Sequence, residues 1–564
     1  MSMSKTYYLQ PSCPFTGHYP LTIADSFMVQ MDSIYLYIFS AAKPLQHDEK
    51  SFLTSILTQS LETFFQRPER SPHNLPELLG KIYEDPNTGN LTVRVTPDSA
   101  VPFITSDRSS DVSFADLSPD SSFPLQPLKP SIFGLGLTTP PPKAKKGVQA
   151  LWVQLTFIDG GFVIHLHIHH WIAGAASAGL FVEAWFERAR LLARSLDTSS
   201  GAGISMTNVV PKCKTKFTDR EELTASLNSI TVPQLEHPDL LHVPGGRRVW
   251  AGMDMHPVLL LILMKIFTFM ITYLPFLLPR SDVQIFHLAP EALRRLRNDV
   301  QSGAESNPEK TFTELTANDC LTALIWSCVT HARCIHRSES TKGYESTAAH
   351  SRSTILTAVD YKPRLNPPLR PNLFGNASMD VYTALPVQAL FSHSEHQPSS
   401  LSQLYHIAHK IHQSISSTTD SHVRSFYQLI SSRSRILDSQ KRTLHFQYGN
   451  DVLCTSWEHI HREPQFLQLD ILGRNLTKKG NQIIFERMRY MHSDGVDGVI
   501  VVLPAYGQKW HMHEKNGAGI ARQAGLEVAI SLRRESMKKL KEDEVFKQYA
   551  DWGEAGGYSA FQAS

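Results

Sequence analysis

The stretch FVIHLHIHHWIAGAASAGLFVEAW, residues 162–185, changes its backbone period part-way along. Through His169, apolar residues alternate with histidines, so a strand sets His165, His167 and His169 on one face. Ile164, Leu166, Ile168 and His170 take the other face. A small-residue turn around Gly174 follows, and then Phe181, Ala184 and Trp185 recur at helical spacing, with Ser177 placed to cap the helix. Working outward, ALWVQLTFI and the Gly160-Gly161 turn complete a hairpin with this strand. Upstream, an alternation that begins at Leu21 around Asp25 runs on through Ile34 to Phe39 and reads as one strand. Leu53, Ile56, Leu57, Leu61 and Phe64 mark an amphipathic helix, while TVRV and VSFADL read as further strands.

Downstream, residues 284–300 read strand, proline turn, basic helix. Thr316 and Asp319 form a capping-box pattern ahead of Leu321, Leu324, Ile325 and Cys328. Strands alternating with helices predict an α/β fold in two large lobes. The expected divisions are 1–205 for the N-terminal lobe, 206–250 for a polar crossover linker, 251–282 for an apolar insertion and 283–564 for the C-terminal lobe.

Composition removes several function classes. Lys and Arg number 55 against 53 Asp and Glu, a formal charge of +2, so no basic face is available to neutralise a nucleic-acid backbone. Six cysteines without a CxxC pair argue against a finger-type zinc or a disulfide framework, and for a reducing compartment. The opening MSMSKTYYLQPSC has no apolar signal core, so a cytoplasmic protein is expected and the sequons at Asn90, Asn376 and Asn475 read as coincidental.

The histidine strand admits three chemical readings. Alternating histidines can ligate zinc, although no neighbouring carboxylate or cysteine completes a set. Ala175-Ala-Ser177-Ala-Gly179 approximates a hydrolase nucleophile elbow, but such an elbow follows directly on its strand and here HHWIAGA intervenes. The third reading is a lone general base, His170, at the strand end and turned away from the other three histidines. A satisfied structural histidine is the plain alternative to all of them.

Position by position, His170-Trp-Ile-Ala-Gly174 with SAGLFVEAW resembles the HxxxD segment of the BAHD acyl-CoA-dependent acyltransferases. Phe217-Thr-Asp219-Arg220-Glu-Glu-Leu223 resembles the FDRxxL signature of that family. Asp360-Tyr-Lys362-Pro-Arg364-Leu-Asn-Pro-Pro-Leu, with Asn372-Leu-Phe374-Gly375-Asn376, resembles its RxRLxPPLPxxYFGN stretch. Thr455-Ser456-Trp457 resembles the TSW strand, Asp497-Gly498 the late glycine turn, and GLEVAISLRRESMKKLKED the closing strand and helix. Leu21 to Asp25 fits the opening pattern, and the likeness spans essentially the whole chain. The proline-rich loop and the insertion PAYGQKWHMHEKNGAGIARQA are closer to fungal members of secondary metabolism.

The resemblance implies a two-domain fold like chloramphenicol acetyltransferase, with a channel between the domains. It implies acyl-CoA as co-substrate, acetyl-CoA leading, with no bound cofactor and no metal. His170 would deprotonate an acceptor hydroxyl or amine, and Thr455, Ser456 and Trp457 would meet the CoA arm and the oxyanion. A hydrophobic terpenoid or polyketide alcohol is the expected acceptor and a monomer the expected state. Two departures stand out. The acid of HxxxD is Gly174 here, and its arginine partners in RxRL fall on Lys362 and Arg364, so the pair is expected to have been lost together. The DFGWG loop is reduced to Asp470-Ile-Leu-Gly473-Arg474. A degenerate relative that binds CoA or ligand without turnover is the alternative, and a histidine-ligated metalloenzyme the more distant one.

Residues 258–278, VLLLILMKIFTFMITYLPFLL, carry one charge at Lys265 and match the length of a bilayer span. A single crossing would put His170 and the TSW strand on opposite sides of the membrane. An interfacial anchor, a greasy flap over the acceptor channel and a buried core helix are therefore the readings kept.

Overall fold

A computed structural model describes residues 4–28, 31–66, 69, 73–85, 90–117, 147–198, 216–233, 281–303, 314–340, 352–391, 400–431, 450–461, 467–469, 481–490, 497–504 and 525–552. The N-terminal half supplies β1 (Ser4–Leu9), β2 (Gly17–Pro20), α1 (Ile23–Ser26), β3 (Asp32–Ala41), α2 (His47–Glu62), β4 (Lys81–Glu84), β5 (Leu91–Val95) and β6 (Val101–Asp107). It continues with α3 (Phe114–Leu117), β7 (Val148–Gln149), β8 (Leu151–Ile158), β9 (Gly161–His169) and α4 (Ala175–Thr198). After α5 (Arg220–Asn228) come β10 (Ser281–Leu288), α6 (Pro290–Ser302), α7 (Ala317–Ser340), β11 (Arg352–Asp360), β12 (Ser378–Pro386), α8 (Leu401–Ser416) and α9 (Asp420–Ser431). The last elements are β13 (Val452–Ser456), β14 (Ile483–Tyr490), β15 (Val499–Pro504), β16 (Leu526–Arg533) and α10 (Arg534–Glu542).

Two mixed six-stranded sheets dominate, in the orders β1-β6-β8-β9-β3-β14 and β10-β16-β15-β13-β11-β12, and a four-stranded antiparallel sheet, β2-β5-β4-β7, stands beside them. In the first sheet only β6 and β8 run parallel; in the second β11, β13 and β15 do. The fold is α/β, with a separate helical cover packed on each large sheet.

The first core forms where α2 and α4 cover β3, β8 and β9. Ile164, Leu166 and Ile168 meet Leu57, Phe181 and Trp185 there, all essentially excluded from solvent. Trp185 also spends its indole N–H on the Leu57 carbonyl at 3.1 Å, so its large ring is buried without an orphaned donor. The second core lies between α6, α7, α8 and α10 and the second sheet, around Trp326, Leu324 and Ile530.

Several local expectations change. The alternation at Leu21–Ser26 is a capped helical turn, because Thr22 and Asp25 satisfy each other's backbone amides and end the extended run. VSFADL folds into α3 rather than a strand. Ser177 sits inside the first turn of α4 rather than capping it, and its hydroxyl donates instead to the Gly375 carbonyl at 2.7 Å. The expected 206–250 linker contributes α5, and Thr218 just before it bridges to Leu373. The capping box at Thr316 and Asp319 forms as read.

β14 comes from the C-terminal part of the chain yet pairs with β3 in the first sheet. From that position Arg489 forms a buried ion pair with Glu527 of β16 in the second sheet, with Arg487 3.8 Å from the same carboxylate. Burial pushes the Glu527 carboxyl up, but the two guanidinium groups hold it below its ordinary value. No helix among the described residues is long and apolar enough to cross a membrane; the apolar run 258–278 lies outside them, and the last two residues of the expected 251–282 insertion, Ser281 and Asp282, instead begin β10. Glu527→Gln leaves Arg489 buried against a neutral group and is expected to lower stability by about 3–5 kcal/mol, read from urea unfolding. Adding Arg489→Met should recover much of that loss, because the orphaned charge is then gone.

Candidate active site

β9 is buried on both faces, which decides what its histidines can do. His167 lies flat on Trp152, with ring centroids 3.3 Å apart, and the His165 Nε2 is 3.2 Å from the Thr156 hydroxyl. The Trp171 amide donates to His169 Nδ1 at 3.2 Å. Burial pushes His165 and His169 down to about 3 and His167 well below its ordinary value, so all three rings are neutral near pH 7. No group of three or more metal-ligating side chains occurs among the described residues. The row is a polar layer inside the lobe.

His170 stands apart. Its amide donates to the Met31 carbonyl at 2.9 Å, which anchors it just past the end of β9. Nδ1 is shut away from solvent with no partner on another residue, so the ring's remaining exposure lies on the Nε2 side. Burial lowers the His170 pKa, while contact with its own backbone carbonyl and the carboxylates of Asp380 and Asp25 pull it back up.

Beneath His170 lies a buried polar junction built from five segments. Asp25 Oδ2 accepts from the Arg220 guanidinium at 2.8 Å and from the Thr22 hydroxyl at 2.8 Å. Arg220 also reaches Glu77 at 3.4 Å and the Ile172 carbonyl at 3.4 Å. Asp25 Oδ1 accepts from the Asn376 amide at 2.9 Å and from its side-chain Nδ2 at 3.0 Å. That same Nδ2 donates to the His170 carbonyl at 2.9 Å. Desolvation works against the Arg220 charge, but Asp25 and Glu77 hold it firmly protonated.

The motif residues divide accordingly. Asn376 lies against His170 and Gly174, while Gly375, beside Asp25 and Arg220, takes a φ of 143° that a side chain would resist and the Phe374 ring faces Arg220. Lys362 and Arg364 go elsewhere. Lys362 pairs with Asp360 at 3.4 Å, and Arg364 donates to the Ile415 carbonyl at the end of α8 at 2.9 Å. Asp497 accepts from buried Arg333 at 2.8 Å, and the guanidinium fills the space over Gly498. Asp470 and Gly473 lie outside the described residues.

Thr455 and Ser456 end β13, the strand between β11 and β15. Thr455 is half-buried and Ser456 exposed, and neither hydroxyl has a hydrogen-bond partner among the described residues. Trp457 packs on Tyr35 of the first sheet with centroids 5.2 Å apart. Four residues beyond it, His461 is held at 2.8 Å by Glu183 of α4 and at 3.0 Å by the Tyr37 hydroxyl. Glu77, Asp380 and the seam made by His461 had no reading from sequence; only the Thr22-x-x-Asp25 spacing, a capping pattern, hinted that Asp25 would be satisfied in place.

Comparison with known proteins now adds to this geometry. The profile of the Transferase family matches residues 280–463. The acyltransferase easC of Emericella nidulans is 24% identical over 86% of this chain and 87% of its own length. The acyltransferase cm3D of Cordyceps militaris is 20% identical over 82% and 83%. The chain is thus similar to acyltransferases over most of its length. Its fold matches that of F. graminearum TRI101 complexed with coenzyme A and deoxynivalenol, with a TM-score of 0.62 at 14% identity over 95% of this chain and 99% of that one. The chain is an acyl-transferring enzyme with a two-domain α/β fold.

The buried histidines of the acyltransferase set a pH signature. The unfolded chain takes up protons below 6.5 that the native β9 refuses, so stability is complete above that value and is lost as pH falls toward about 3. His167→Phe keeps a ring on Trp152 and removes one such group. The fall in urea midpoint between about pH 6.5 and 5 should flatten in that variant.

Proposed function

We propose that the protein transfers an acyl group from acyl-CoA, acetyl-CoA leading, to a hydroxyl of a hydrophobic small molecule, with His170 as general base. The observation that carries this reading is the state of the His170 ring. Its Nδ1 is buried without a hydrogen-bond partner, so an acceptor can meet the ring only through Nε2, the side toward solvent. A neutral imidazole with one free lone pair can accept a hydroxyl proton near neutral pH.

In that scheme Nε2 takes the acceptor proton as the alcohol oxygen attacks the thioester carbonyl. The tetrahedral oxyanion collapses, the carbon–sulfur bond breaks, and the departing thiolate takes the proton from His170. The products are the ester and CoA thiol. The free hydroxyls of Thr455 and Ser456, at the end of β13, are the candidate donors to the CoA arm and the oxyanion. The ligands of the TRI101 structure, coenzyme A and deoxynivalenol, belong to that protein and support the substrate class by analogy. Interfacial contact through 258–278 and a monomeric state go with this reading.

Thiol release from a panel of acyl-CoAs, with hydrophobic alcohols as acceptors and products followed by mass, tests it. His170→Ala should lower acceptor-dependent release by ~100-fold or more. No release by folded wild-type protein with any donor would favour a relative that binds CoA without turnover. The acid limb of kcat/KM should lie below the ordinary imidazole value of 6.5, because burial disfavours the charged ring. Asp380→Asn removes a charge that supports the imidazolium, so it should move that limb lower still.

A further inference from the structure

In the motif as the family would write it, residue 174 is an acid; here it is glycine, and something else fills its place. A Cβ at Gly174 would stand 2.9 Å from Asn376 Oδ1. That oxygen is buried and has no hydrogen-bond partner. The amide cannot be turned the other way, because Nδ2 is the group that faces the Asp25 carboxylate and the His170 carbonyl. A side chain at 174 would therefore collide with an oxygen that cannot retreat, and a carboxylate there would also meet it with like polarity.

We propose that Asn376 is the positioning residue for His170 in this chain and that Gly174 is small in order to admit it. Asn376 Nδ2 donates to the His170 carbonyl and so fixes the backbone that carries the ring. Holding that backbone keeps Nδ1 buried and Nε2 on the accessible side, as the base requires. Asp25 holds Asn376 by its backbone and side-chain nitrogens together, and Arg220 holds Asp25. The carboxylate absent from position 174 is thereby supplied by Asp25, one amide removed. Tyr361 supports the other side, with its hydroxyl 3.5 Å from the Asn376 carbonyl and itself accepting from Tyr427 at 2.9 Å. The charged groups that bear on the His170 ring are Asp25 and Asp380.

The inference rests on His170 being the base, and the experiment separates the two claims. Asn376→Ala is expected to lower kcat ~10- to 100-fold with KM for acyl-CoA nearly unchanged, since a small misplacement of a reacting group costs that much. Its acid limb should move to lower pH, because the contact that favours the charged ring is loosened. In a His170→Ala background the same substitution should cost nothing further. Gly174→Ala, which disturbs only Oδ1, should reproduce the kcat loss and should add nothing to Asn376→Ala; it also serves if Asn376→Ala fails to fold. An inactive His170→Ala protein alongside folded Asn376 and Gly174 variants of normal kcat and pH profile would overturn the positioning role. Full turnover by His170→Ala would overturn the base assignment itself, and this inference with it.

Discussion

The carboxylate of Asp25 is the constraint on which the rest of the site depends. It is fully buried and accepts five hydrogen bonds, two from Thr22, two from Asn376 and one from Arg220. A carboxylate removed from water survives only when its lone pairs are taken up and an opposite charge stands close by. Here each donor comes from a different part of the chain, so satisfying one group fixes a turn, a helix start and a motif loop together. Because Arg220 also reaches the Ile172 carbonyl and Asn376 the His170 carbonyl, the backbone around the candidate base is held from both ends.

The same logic governs how the lobes meet. The seam is made of specific buried pairs: Trp457 on Tyr35, His461 between Glu183 and Tyr37, Arg489 with Glu527, and Ser177 with Gly375. Buried polar pairs of this kind contribute little net stability over apolar packing, yet they penalise any other alignment strongly. His170 belongs to the first lobe, whereas Asn376 and the TSW strand belong to the second, so an active geometry needs that alignment. Gly179 shows how tight it is, since a Cβ there would run into Ile460.

Much of the fold was legible because it rests on short-range periodicity. The change from alternation to helical spacing between Phe162 and Trp185 gave β9, α4 and the position of His170 without reference to the rest of the chain. The motif set gave the family resemblance for a related reason, as its residues occur at fixed order along the chain. Ser177 and VSFADL misled where a local preference was overruled. A serine near a helix start is an N-cap by habit, but Ser177 found the Gly375 backbone closer at hand.

The sequence by itself determined the α/β class, the family resemblance and the candidate base, since each depends on spacings of a few residues. The acid of the motif is Gly174 here, and its expected basic partners fall on Lys362 and Arg364. Lys362 and Arg364 are occupied by Asp360 and by the end of α8, while Arg220, Asp25 and Asn376 meet beside Gly174. Only the tertiary structure could decide that, because the three residues lie 195 and 351 positions from one another along the chain and are joined by the need to neutralise charge away from water. The placement of β14 in the first sheet has the same origin: edge pairing with β3 is settled by which strand can reach, not by any pattern within it.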